Sequence, residues 1–433
     1  MATDVLGFLG VRGSGDWVTD QRPTNYREMI LYLEPNGSAP LTALLSKISS
    51  QSTNDPQFNW WTKVLPTQGG AITTTYTDVG LTSAYVSGGV SGTVLYAKVA
   101  EAVADEFRVG HEALFRLSTD YSLDCVGEVV GVVKNGASSY VAVKLLESDD
   151  NSSSAGNYIA DADRLLIIGN LNSEMADTPQ SLTYDPQKYY NYTQIFRTSV
   201  SITGTAEQVA LRTDSQSKEN RREGLLLHGI EMEKAFLWGI KTEGTGANGK
   251  PKRTTEGLVP FIVGNSPSGN IGDFVSDIDY SGQTWLQGGK DFINAKLAQI
   301  FRYGEKRKAA FCGYAALQAI NDLAETWGDI GLSVGQAEYG IRVTRWMTVF
   351  GEIALINHPL FSYESSNANS IVVLEPAKLK YRNMKNRDTK YLRNRQGNGV
   401  DGTIDEYLTE AGLEIHHPEC FGYLNGIGEA NTA

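Results

Sequence analysis

The stretch SITGTAEQ, from Ser201 to Gln208, lies where the hydrophobic period of the chain changes from two residues to a helical repeat. Apolar and polar residues alternate before it, and no proline follows it until beyond Gly239. Thr205, with Gln208 three residues later, is typical of a capping box at the start of a helix. The stretch therefore predicts a junction between a long β region and a long helix.

The helix is expected from Ala206 to Gly239, a length of about 50 Å at ~1.5 Å per residue. Glycines at positions 224 and 229 weaken the helical pattern, and a break near Asp214 is compatible with it. The charged run SQSKENRREG in its first half predicts a solvated face or a contact with other chains. The expected buried stripe consists of Leu226, Ile230 and Leu237, flanked by Leu227 and Phe236.

The region before the junction, from about residue 71 to 200, is predicted to be a long β excursion. The segments AITTTYTDV, GEVVGVV, YVAVKLL and RLLIIG have the composition and period of strands. An Asn-Gly turn in KNGASS, from Lys134 to Ser139, predicts a hairpin between two of them. Because an isolated hairpin or small sheet buries little of its own surface, we expect the excursion to need a partner surface.

Outside these two regions, the chain predicts a short helix and a mixed domain. APLTALLSKI has a helical period just after Pro40, and the pair Trp60-Trp61 that follows is typical of a buried contact within or between chains. After Gly257 the predicted order is a strand in GLVPFIV, a helix ending at Gly304, a strand in KAAFCG and a helix in AALQAINDLAETW. Two strands joined near Phe350-Gly351 and a strand in SIVVLEP complete an α+β layer domain.

Composition limits the class of protein. A chain of 433 residues with 41% hydrophobic and 20% charged residues is globular and long enough for two or three domains. Its net charge of −12 argues against nucleic acid as a partner of the molecule as a whole. Cys125, Cys312 and Cys420 are odd in number and far apart, which favours a reducing compartment. Neither a signal peptide nor a membrane span is evident, so a soluble intracellular protein is expected.

The stretch GTGANGKP, from Gly244 to Pro251, matches two nucleotide-binding patterns, G-x-G-x-x-G and most of G-x-x-x-x-G-K-[ST]. Both patterns need a preceding strand and a following helix whose N-terminus holds the phosphates. Here the loop follows the long helix, and Pro251 stands where Ser or Thr would bind magnesium. A flexible connection between a helix and a strand is the better interpretation, and no cofactor is expected.

The segment GLEIHHPEC contains four residues of types that bind metal ions, which are His416, His417, Glu419 and Cys420. Adjacent histidines in a strand point to opposite faces, and the other histidines, His111, His228 and His358, are scattered singly. We therefore expect no metal, and no catalytic arrangement of Ser, His and Asp is visible.

Charge is distributed unevenly along the chain. Glu101 to Asp177 contains 14 acidic and 5 basic residues, a net charge of −9. Lys378 to Arg395 contains 8 basic residues and one acidic residue, a net charge of +7. The two segments form solvated faces, or the basic stretch binds nucleic acid phosphate, or the acidic excursion of one copy docks on the basic stretch of the next.

The order of these parts resembles the major capsid proteins of tailed double-stranded DNA bacteriophages, which have the Hong Kong 97-type fold. APLTALLSKI and FNWWTKVLP are similar to the arm that leads into the extended loop of one branch of that family, and EFRVGHEALFRLSTDYSLDCVGEVVGVV to a small β unit in the loop. NYTQIFRTSVSITGTAEQV resembles the return into the spine helix, HGIEMEKAFLWGIKT and TTEGLVPFI its end, and WMTVFGEIALINHPLF the axial strands. The similarity covers roughly residues 35 to 425 and rests on motif order and spacing.

The resemblance implies an L-shaped structural subunit with no active site. Its α+β fold would comprise an N-terminal arm (1–55), an extended loop with an inserted β unit (56–200), a peripheral domain with the spine helix (201–283), an axial domain (284–370) and a return to the peripheral domain (371–433). Such subunits build the hexamers and pentamers of an icosahedral capsid around packaged double-stranded DNA. The implied location is the virion, with assembly in the host bacterial cytoplasm.

The implied partners are other copies of the chain, the portal, scaffolding and decoration proteins, and packaged DNA contacted non-specifically on the shell interior; no membrane is involved. The residues predicted to lie at subunit interfaces are Trp60, Trp61, Glu101, Asp105, Glu106, Arg221, Arg222, Lys385, Arg387 and Arg393. Two alternatives stay open: another virion or surface-layer structural protein, such as a tail component, and a nucleotide-binding enzyme using Gly244 to Lys250.

Overall fold

The structure is a computed structural model, which describes residues 40–45, 50–64, 66–118, 123–149, 158–175, 177–179, 181–209, 216–327, 331–338, 341–362 and 365–433. Most of the predicted N-terminal arm, residues 1–39, lies outside the described residues, as does Asp214.

Eight α-helices lie in the described part. Their bounds are α1 Pro40–Leu45, α2 Glu101–Ala104, α3 Gly204–Gln208, α4 Gln216–Trp238, α5 Leu258–Asn265, α6 Trp285–Ile300, α7 Tyr314–Trp327 and α8 Ser365–Ala368.

The strands fall into two sets, one before and one after α3. The first set is β1 Ser50–Thr53, β2 Gln57–Thr62, β3 Gly69–Tyr76, β4 Val94–Val99, β5 His111–Arg116, β6 Asp124–Val133, β7 Tyr140–Leu145, β8 Arg164–Asn170, β9 Gln187–Tyr192 and β10 Gln194–Thr203. The second set is β11 Thr242–Thr245, β12 Pro251–Thr254, β13 Ile271–Asp273, β14 Arg307–Cys312, β15 Gly331–Glu338, β16 Ile341–Met347, β17 Glu352–Asn357, β18 Ile371–Leu374, β19 Leu379–Met384, β20 Lys390–Leu392, β21 Gly402–Ile415 and β22 Gly422–Asn425. The α+β class is confirmed.

The chain forms two compact units. The first, the main unit, comprises residues up to Thr62 together with Lys188–Ala433, and the second, the barrel unit, comprises Lys63–Gln187. Strands β2 and β9, on either side of the barrel unit in sequence, pair with each other in a two-stranded sheet of the main unit.

The barrel unit is a closed antiparallel barrel with the strand order β3-β4-β7-β6-β5-β8. The four strand segments predicted from sequence period are present, and the Asn-Gly turn joins β6 to β7, with Gly136 at a φ of 53°. Its interior is a separate hydrophobic core, which includes Phe115, Cys125, Val141 and Leu165. The expectation that this region needs a partner surface to bury itself is wrong, because barrel closure pairs every edge strand and encloses a core.

The main unit contains a five-stranded sheet around β21. The strand order is β1-β19-β21-β10, and β20 also pairs with β21. β10 runs antiparallel to β21 from Gln194 opposite Ala411 to Thr203 opposite Gly402. This long ladder is the strand side of the junction that the sequence predicts at SITGTAEQ.

The predicted helix from Ala206 to Gly239 is not continuous. Helix α3 ends at Gln208, Val209 is extended, and α4 begins at Gln216. The N-cap of α3 is Thr203, whose side chain accepts a hydrogen bond from the backbone N–H of Ala206, so the predicted capping box at Thr205 is wrong. Apolar repeats alone did not reveal that Val209 is extended.

Helix α4 packs on the sheet through a stripe that agrees with the predicted one only near its C-terminus. Phe236 and Leu237 are buried as predicted, whereas Leu226 and Ile230 are half-buried and Leu227 is exposed. The buried residues are Gly224, His228, Met232, Glu233, Phe236 and Leu237. A Cβ at Gly224 would lie 2.5 Å from Val200 Cγ2, so this glycine allows the helix to approach β10 closely. His228 is hydrogen-bonded through Nδ1 to Thr198 Oγ1 (2.9 Å) and through Nε2 to Thr409 Oγ1 (2.8 Å). The buried face of the first part of α4 thus contains a small and a polar residue, Gly224 and His228, which a hydrophobic pattern does not select.

A seven-stranded sheet with the order β13-β22-β18-β14-β17-β16-β15 forms the other half of the main unit. Helices α6 and α7 pack with it in a core that includes Phe292, Ile320 and Leu355. The predicted strands in KAAFCG and SIVVLEP, the strand pair around Phe350-Gly351, and both predicted helices are confirmed. Helix α6 ends at Ile300, with Phe301 as its C-cap, and not at the predicted Gly304. This is the α+β layer domain expected from the sequence.

Two local predictions are wrong. GLVPFIV is helix α5 rather than a strand, with Gly257 as its N-cap and Pro260 in its first turn, where the missing N–H costs nothing. A short apolar run has no period that separates the two states. GTGANGKP is the turn of a hairpin between β11 and β12, not a flexible connection, with Gly244 opposite Lys252.

We expect the barrel unit to fold when it is expressed alone as residues 63–187, because its strands close on themselves around their own core. Circular dichroism should show a strand spectrum with one cooperative thermal transition. The matched control is the same fragment with Phe115→Asp, which places a carboxylate in the core and should abolish the transition. A wild-type fragment without a cooperative transition would contradict self-sufficiency of the barrel.

Candidate functional site: a charged sheet face

Strand β21 carries three glutamates on one face. Glu406, Glu410 and Glu414 are four residues apart, so they point to the same side of the sheet. Their exposed fractions are only 4%, 6% and 1%. We call these three residues the carboxylate ladder, and the side of the sheet that bears them the ladder face. Buried carboxylates on a central strand need cationic or hydrogen-bonding partners, because desolvation of an unpaired charge is costly.

Glu406, the first residue of the carboxylate ladder in sequence, is paired with arginines from two other segments. Arg197 of β10 donates to both of its carboxylate oxygens, through Nε and, at 2.8 Å, through Nη2. Arg395 approaches with its Nε 3.6 Å from Oε2. Hydrogen bonding to Arg197 holds the pKa of Glu406 below its ordinary value.

The other two rungs are paired in the same way. Arg387 Nε donates to Glu410 Oε2 at 2.5 Å. Arg382 donates to Glu414 Oε2, and Lys380 Nζ lies 3.8 Å from Glu414 Oε1. Burial raises the pKa of Glu414, but hydrogen bonds from His416 and Arg382 outweigh it, so the pKa is lowered overall.

These contacts revise the interpretation of the basic stretch. Lys380, Arg382, Arg387 and Arg395, half of the basic residues between 378 and 395, pair with carboxylates of their own chain. The acidic partners lie on β21, the strand that comes after the basic stretch in sequence. They do not lie in the acidic excursion. The sequence analysis did not consider that the basic stretch is neutralised by glutamates of its own chain.

The opposite face of β21 packs against α4 and carries a second polar cluster. Asp405 accepts hydrogen bonds from Tyr391 Oη and, at 3.1 Å, from the backbone N–H of Asn394. Arg221 Nη2 lies 3.5 Å from Asp405 Oδ2. The guanidinium groups of Arg221 and Arg393 each lie 5.5 Å from the centre of the Tyr391 ring.

Glu233 of α4 joins three segments that are distant in sequence. Its carboxylate accepts hydrogen bonds from the backbone N–H groups of Leu41 and Thr42, both at 2.7 Å, and from the Thr42 hydroxyl. Its Oε1 is 2.8 Å from Nε2 of His358, the residue that directly follows strand β17. Glu233 and His358 are fully buried. The carboxylate therefore caps α1, where free N–H groups and the helix dipole favour a negative charge.

The predicted interface residue Trp60 is an internal residue of this chain. Its indole is 4% exposed, stacks on Phe58 and Tyr189, and donates from Nε1 to the carbonyl of Ile415 at 2.9 Å. Its neighbour Trp61 is 59% exposed because successive side chains of β2 point to opposite sides. Of the pair, only Trp61 is available to another chain without rearrangement.

The three acidic interface candidates lie in the barrel unit. Asp105 Oδ1 is 2.7 Å from Lys134 Nζ, and Glu106 Oε2 accepts from the backbone N–H of Gly69 at 3.0 Å. Glu101 is exposed at the start of α2. Asp105 and Glu106 thus have partners in their own chain.

The basic interface candidates differ in their surroundings. Arg387 belongs to the carboxylate ladder, Arg221 and Arg393 flank Tyr391, and Arg222 is exposed on α4. Lys385 is exposed after β19, and no carboxylate of the described residues lies within 4.0 Å of its amino group. The acidic candidates thus belong to the barrel unit and the basic candidates to the main unit.

The other sequence-derived candidates can be placed as well. His416 Nε2 lies 2.5 Å from Glu414 Oε1, and His417 has a left-handed φ of 56° just beyond β21. No group of three or more His, Cys, Asp or Glu side chains suited to a metal ion occurs in the described ranges. None of the helices described has both the length and the apolar character to cross a membrane.

Several buried charged residues were missed by sequence analysis. Besides Glu233 and the carboxylate ladder, Lys308 of β14 is fully buried and donates to Glu375 Oε2 (3.0 Å) and to the carbonyls of Tyr303 (3.2 Å) and Cys420 (3.0 Å). No spacing rule finds a pair separated by 67 residues. The available signal was the i, i+4, i+8 series of glutamates in a strand-like segment, which is unusual for a solvated face.

A family model and a relative that match this chain are both described as major capsid proteins. A family model described as SU10 major capsid protein matches residues 12–428. A major capsid protein of Pseudomonas phage PaMx41 is 23% identical over 422 residues, which are 93% of this chain and 91% of the relative. Among solved structures, one from Mycobacterium phage Cain has 10% identity and a TM-score of 0.43, covering 98% of this chain and 96% of that one. One from Microbacterium phage Oxtober96 has 10% identity and a TM-score of 0.42, covering 93% and 95%.

We expect Glu233→Gln to lower the stability of the main unit by about 2–4 kcal/mol, since a buried amide leaves the N–H groups of α1 and His358 poorly matched. Urea unfolding followed by tryptophan fluorescence measures this unit selectively, because residues 63–187 contain no tryptophan. Glu231→Gln, at an exposed position of the same helix, is the matched control and should change stability by less than about 0.5 kcal/mol. Equal effects of the two substitutions would contradict the anchoring role.

The lowered pKa values of Glu406 and Glu414 predict acid lability of the main unit. Their contribution to stability is complete above the ordinary glutamate pKa of about 4.5 and is lost as the pH falls through the lowered native values. The double variant E406Q/E414Q should be less stable than the wild type at pH 7 but should lose less stability between about pH 5 and about pH 3. Urea midpoints across this range measure both effects, and identical acid profiles would exclude the ladder as their source.

Proposed function

The chain belongs to the SU10 major capsid protein family, and we propose from this that its copies assemble into the hexamers and pentamers of an icosahedral shell that encloses a double-stranded DNA genome. It is a structural subunit of a phage capsid shell and not an enzyme. The single observation that carries this conclusion is the family match over residues 12–428, nearly the whole chain.

The fold agrees with this role. Three features support the implied Hong Kong 97-type parts: helix α4 on the sheet of β21, the β barrel inserted in the chain, and the α+β layer with α6 and α7. The glycine loop that suggested an enzyme joins β11 to β12 in a hairpin, so it leads directly into a strand and not into a helix. The alternative of a tail or surface-layer component has no observation in its favour.

We assign the parts of the subunit as the sequence suggested. Residues 1–55 are the N-terminal arm, 56–200 the extended loop with its β unit, 201–283 the peripheral domain, 284–370 the axial domain, and 371–433 the return to the peripheral domain. The compact barrel unit, Lys63–Gln187, falls inside the proposed extended loop and supports this division.

Contacts between copies are proposed to join the acidic barrel unit of one subunit to exposed basic residues of the next. Residues 63–187 contain 16 acidic and 7 basic residues, a net charge of −9. Lys385 and Arg393 are exposed basic candidates of the stretch 378–395 that lie outside the carboxylate ladder. Exposed ion pairs are individually weak, about 0–1 kcal/mol, which permits misplaced subunits to dissociate during assembly. Trp61 supplies an exposed aromatic side chain of the kind enriched at interfaces.

Further partners are proposed from the role of a capsid subunit. A portal, a scaffolding protein and a decoration protein would contact the shell, and packaged DNA would contact its interior. Assembly is proposed to take place in the cytoplasm of the host bacterium, before the shell becomes part of the virion.

Negative-stain microscopy of the purified protein tests the proposal. We expect capsomers, tubes or closed shells for the wild type, and loss of these assemblies for K385E/R393E, which reverses two exposed charges without breaking a carboxylate pair. Arg387 is excluded from the variant because its reversal would place a carboxylate beside buried Glu410 and destabilise the subunit.

The matched control is K234E/K306E, which makes the same charge change on α4 and before β14 and should assemble normally. Circular dichroism must show that both variants are folded. A wild type that stays strictly monomeric at high concentration would count against shell assembly, and normal assembly of K385E/R393E at low salt would exclude these two residues as contacts.

A further inference from the structure

The ladder face presents cationic groups to solvent while its carboxylates lie behind them. The side chains of Arg197, Arg387 and Arg395 are 60%, 42% and 51% exposed, whereas their glutamate partners on β21 are 6–8% exposed at the side chain. We propose that this face is a binding surface for the phosphate backbone of duplex DNA. The proposal rests on the shell function above and specifies the surface that would meet the packaged genome.

The arginines are held in place before any ligand arrives. Each guanidinium has five N–H donors in a planar fork, and the pairing with a buried glutamate uses one or two of them. Arg197, for example, directs Nε and Nη2 to Glu406. The remaining donors stay available, and since the fork is already oriented, less side-chain entropy is lost when a phosphate binds. Arginine pairs with phosphate in the same bidentate manner as with carboxylate.

Further cations lie on the same face. Lys390 of β20 is opposite Leu408, which shares its side of the sheet with Glu406 and Glu410. The β11–β12 hairpin adds Lys250, Lys252 and Arg253, which line a cleft of about 310 Å³ together with Glu410 and Thr193. No carboxylate of the described residues lies within 4.0 Å of the amino groups of Lys250, Lys252 or Lys390. The positive charges of these three lysines are therefore not neutralised by carboxylates of the described residues.

The chemistry of the face favours a polyanion over a protein partner. Protein interfaces have an apolar core depleted of charged residues. On the ladder face, Ile195 is an exposed large hydrophobic side chain, whereas Leu408 is buried. The described residues of this face therefore do not form an apolar patch. A phosphate backbone needs only an array of cations and N–H donors, and contacts of this kind do not read base sequence. Binding is thus expected to be independent of sequence and strongly dependent on salt.

The test measures the affinity of the purified, unassembled subunit for a fluorescent DNA duplex as a function of salt concentration. K252Q/K390Q removes two positive charges that have no carboxylate partner, so that no ion pair of the folded chain is lost. If both lysines contact phosphates, the slope of log K against log salt should decrease in magnitude by about 2, from ~0.9 per phosphate contact. K234Q/K306Q removes the same charge elsewhere and should leave the slope unchanged.

The outcomes separate this proposal from the proposed function. Microscopy should show that K252Q/K390Q assembles like the wild type, and two duplexes of different sequence should bind equally. An unchanged slope, or an equal decrease in K234Q/K306Q, overturns the proposal. Loss of assembly in K252Q/K390Q with an unchanged slope also overturns it, because the face would then lie between copies. A wild type that binds DNA but never assembles would instead contradict the shell function.

Discussion

A carboxylate that is removed from water must receive a cation or several hydrogen bonds, and strand β21 places three glutamates under this constraint. Their partners come from β10, from β19 and from the segment between β19 and β21. Since β21 is also the centre of the five-stranded sheet that supports α4, the pairing fixes the position of segments 209 residues apart in sequence. Breaking one pair leaves a buried charge alone, which costs more than the pair itself contributes.

Glu233 shows the same principle on the other side of the sheet. One carboxylate on α4 caps α1 and contacts His358, so the end of the N-terminal segment and the seven-stranded sheet share a single acceptor. Substitution of Glu233 is expected to be costly because Leu41 and His358 are buried and would lose their acceptor. Together, the ladder and Glu233 connect distant segments of the main unit by polar pairing.

Sequence analysis predicted elements with a strong period and failed where tertiary contacts override it. Four of the six strands of the barrel unit, helices α6 and α7, and four of the seven strands of the layer sheet were predicted correctly. The interior of α4 was not, because Gly224 and His228 are buried for reasons set by Val200, Thr198 and Thr409 on other strands. The basic stretch was recognised as a charge cluster, but its glutamate partners could not be identified from composition alone. The excursion was predicted to need a partner because strand period does not reveal that six strands close into a barrel.

The return of the chain after the barrel unit has a practical consequence. β2 ends at Thr62 and β9 begins at Gln187, and these strands pair in one small sheet, where neighbouring strands lie about 4.8 Å apart. An added module whose two termini are close together fits such a junction, beside the barrel unit in sequence. A peptide epitope inserted there, with the barrel unit retained for the proposed contacts between copies, would be carried in as many copies as the particle has subunits.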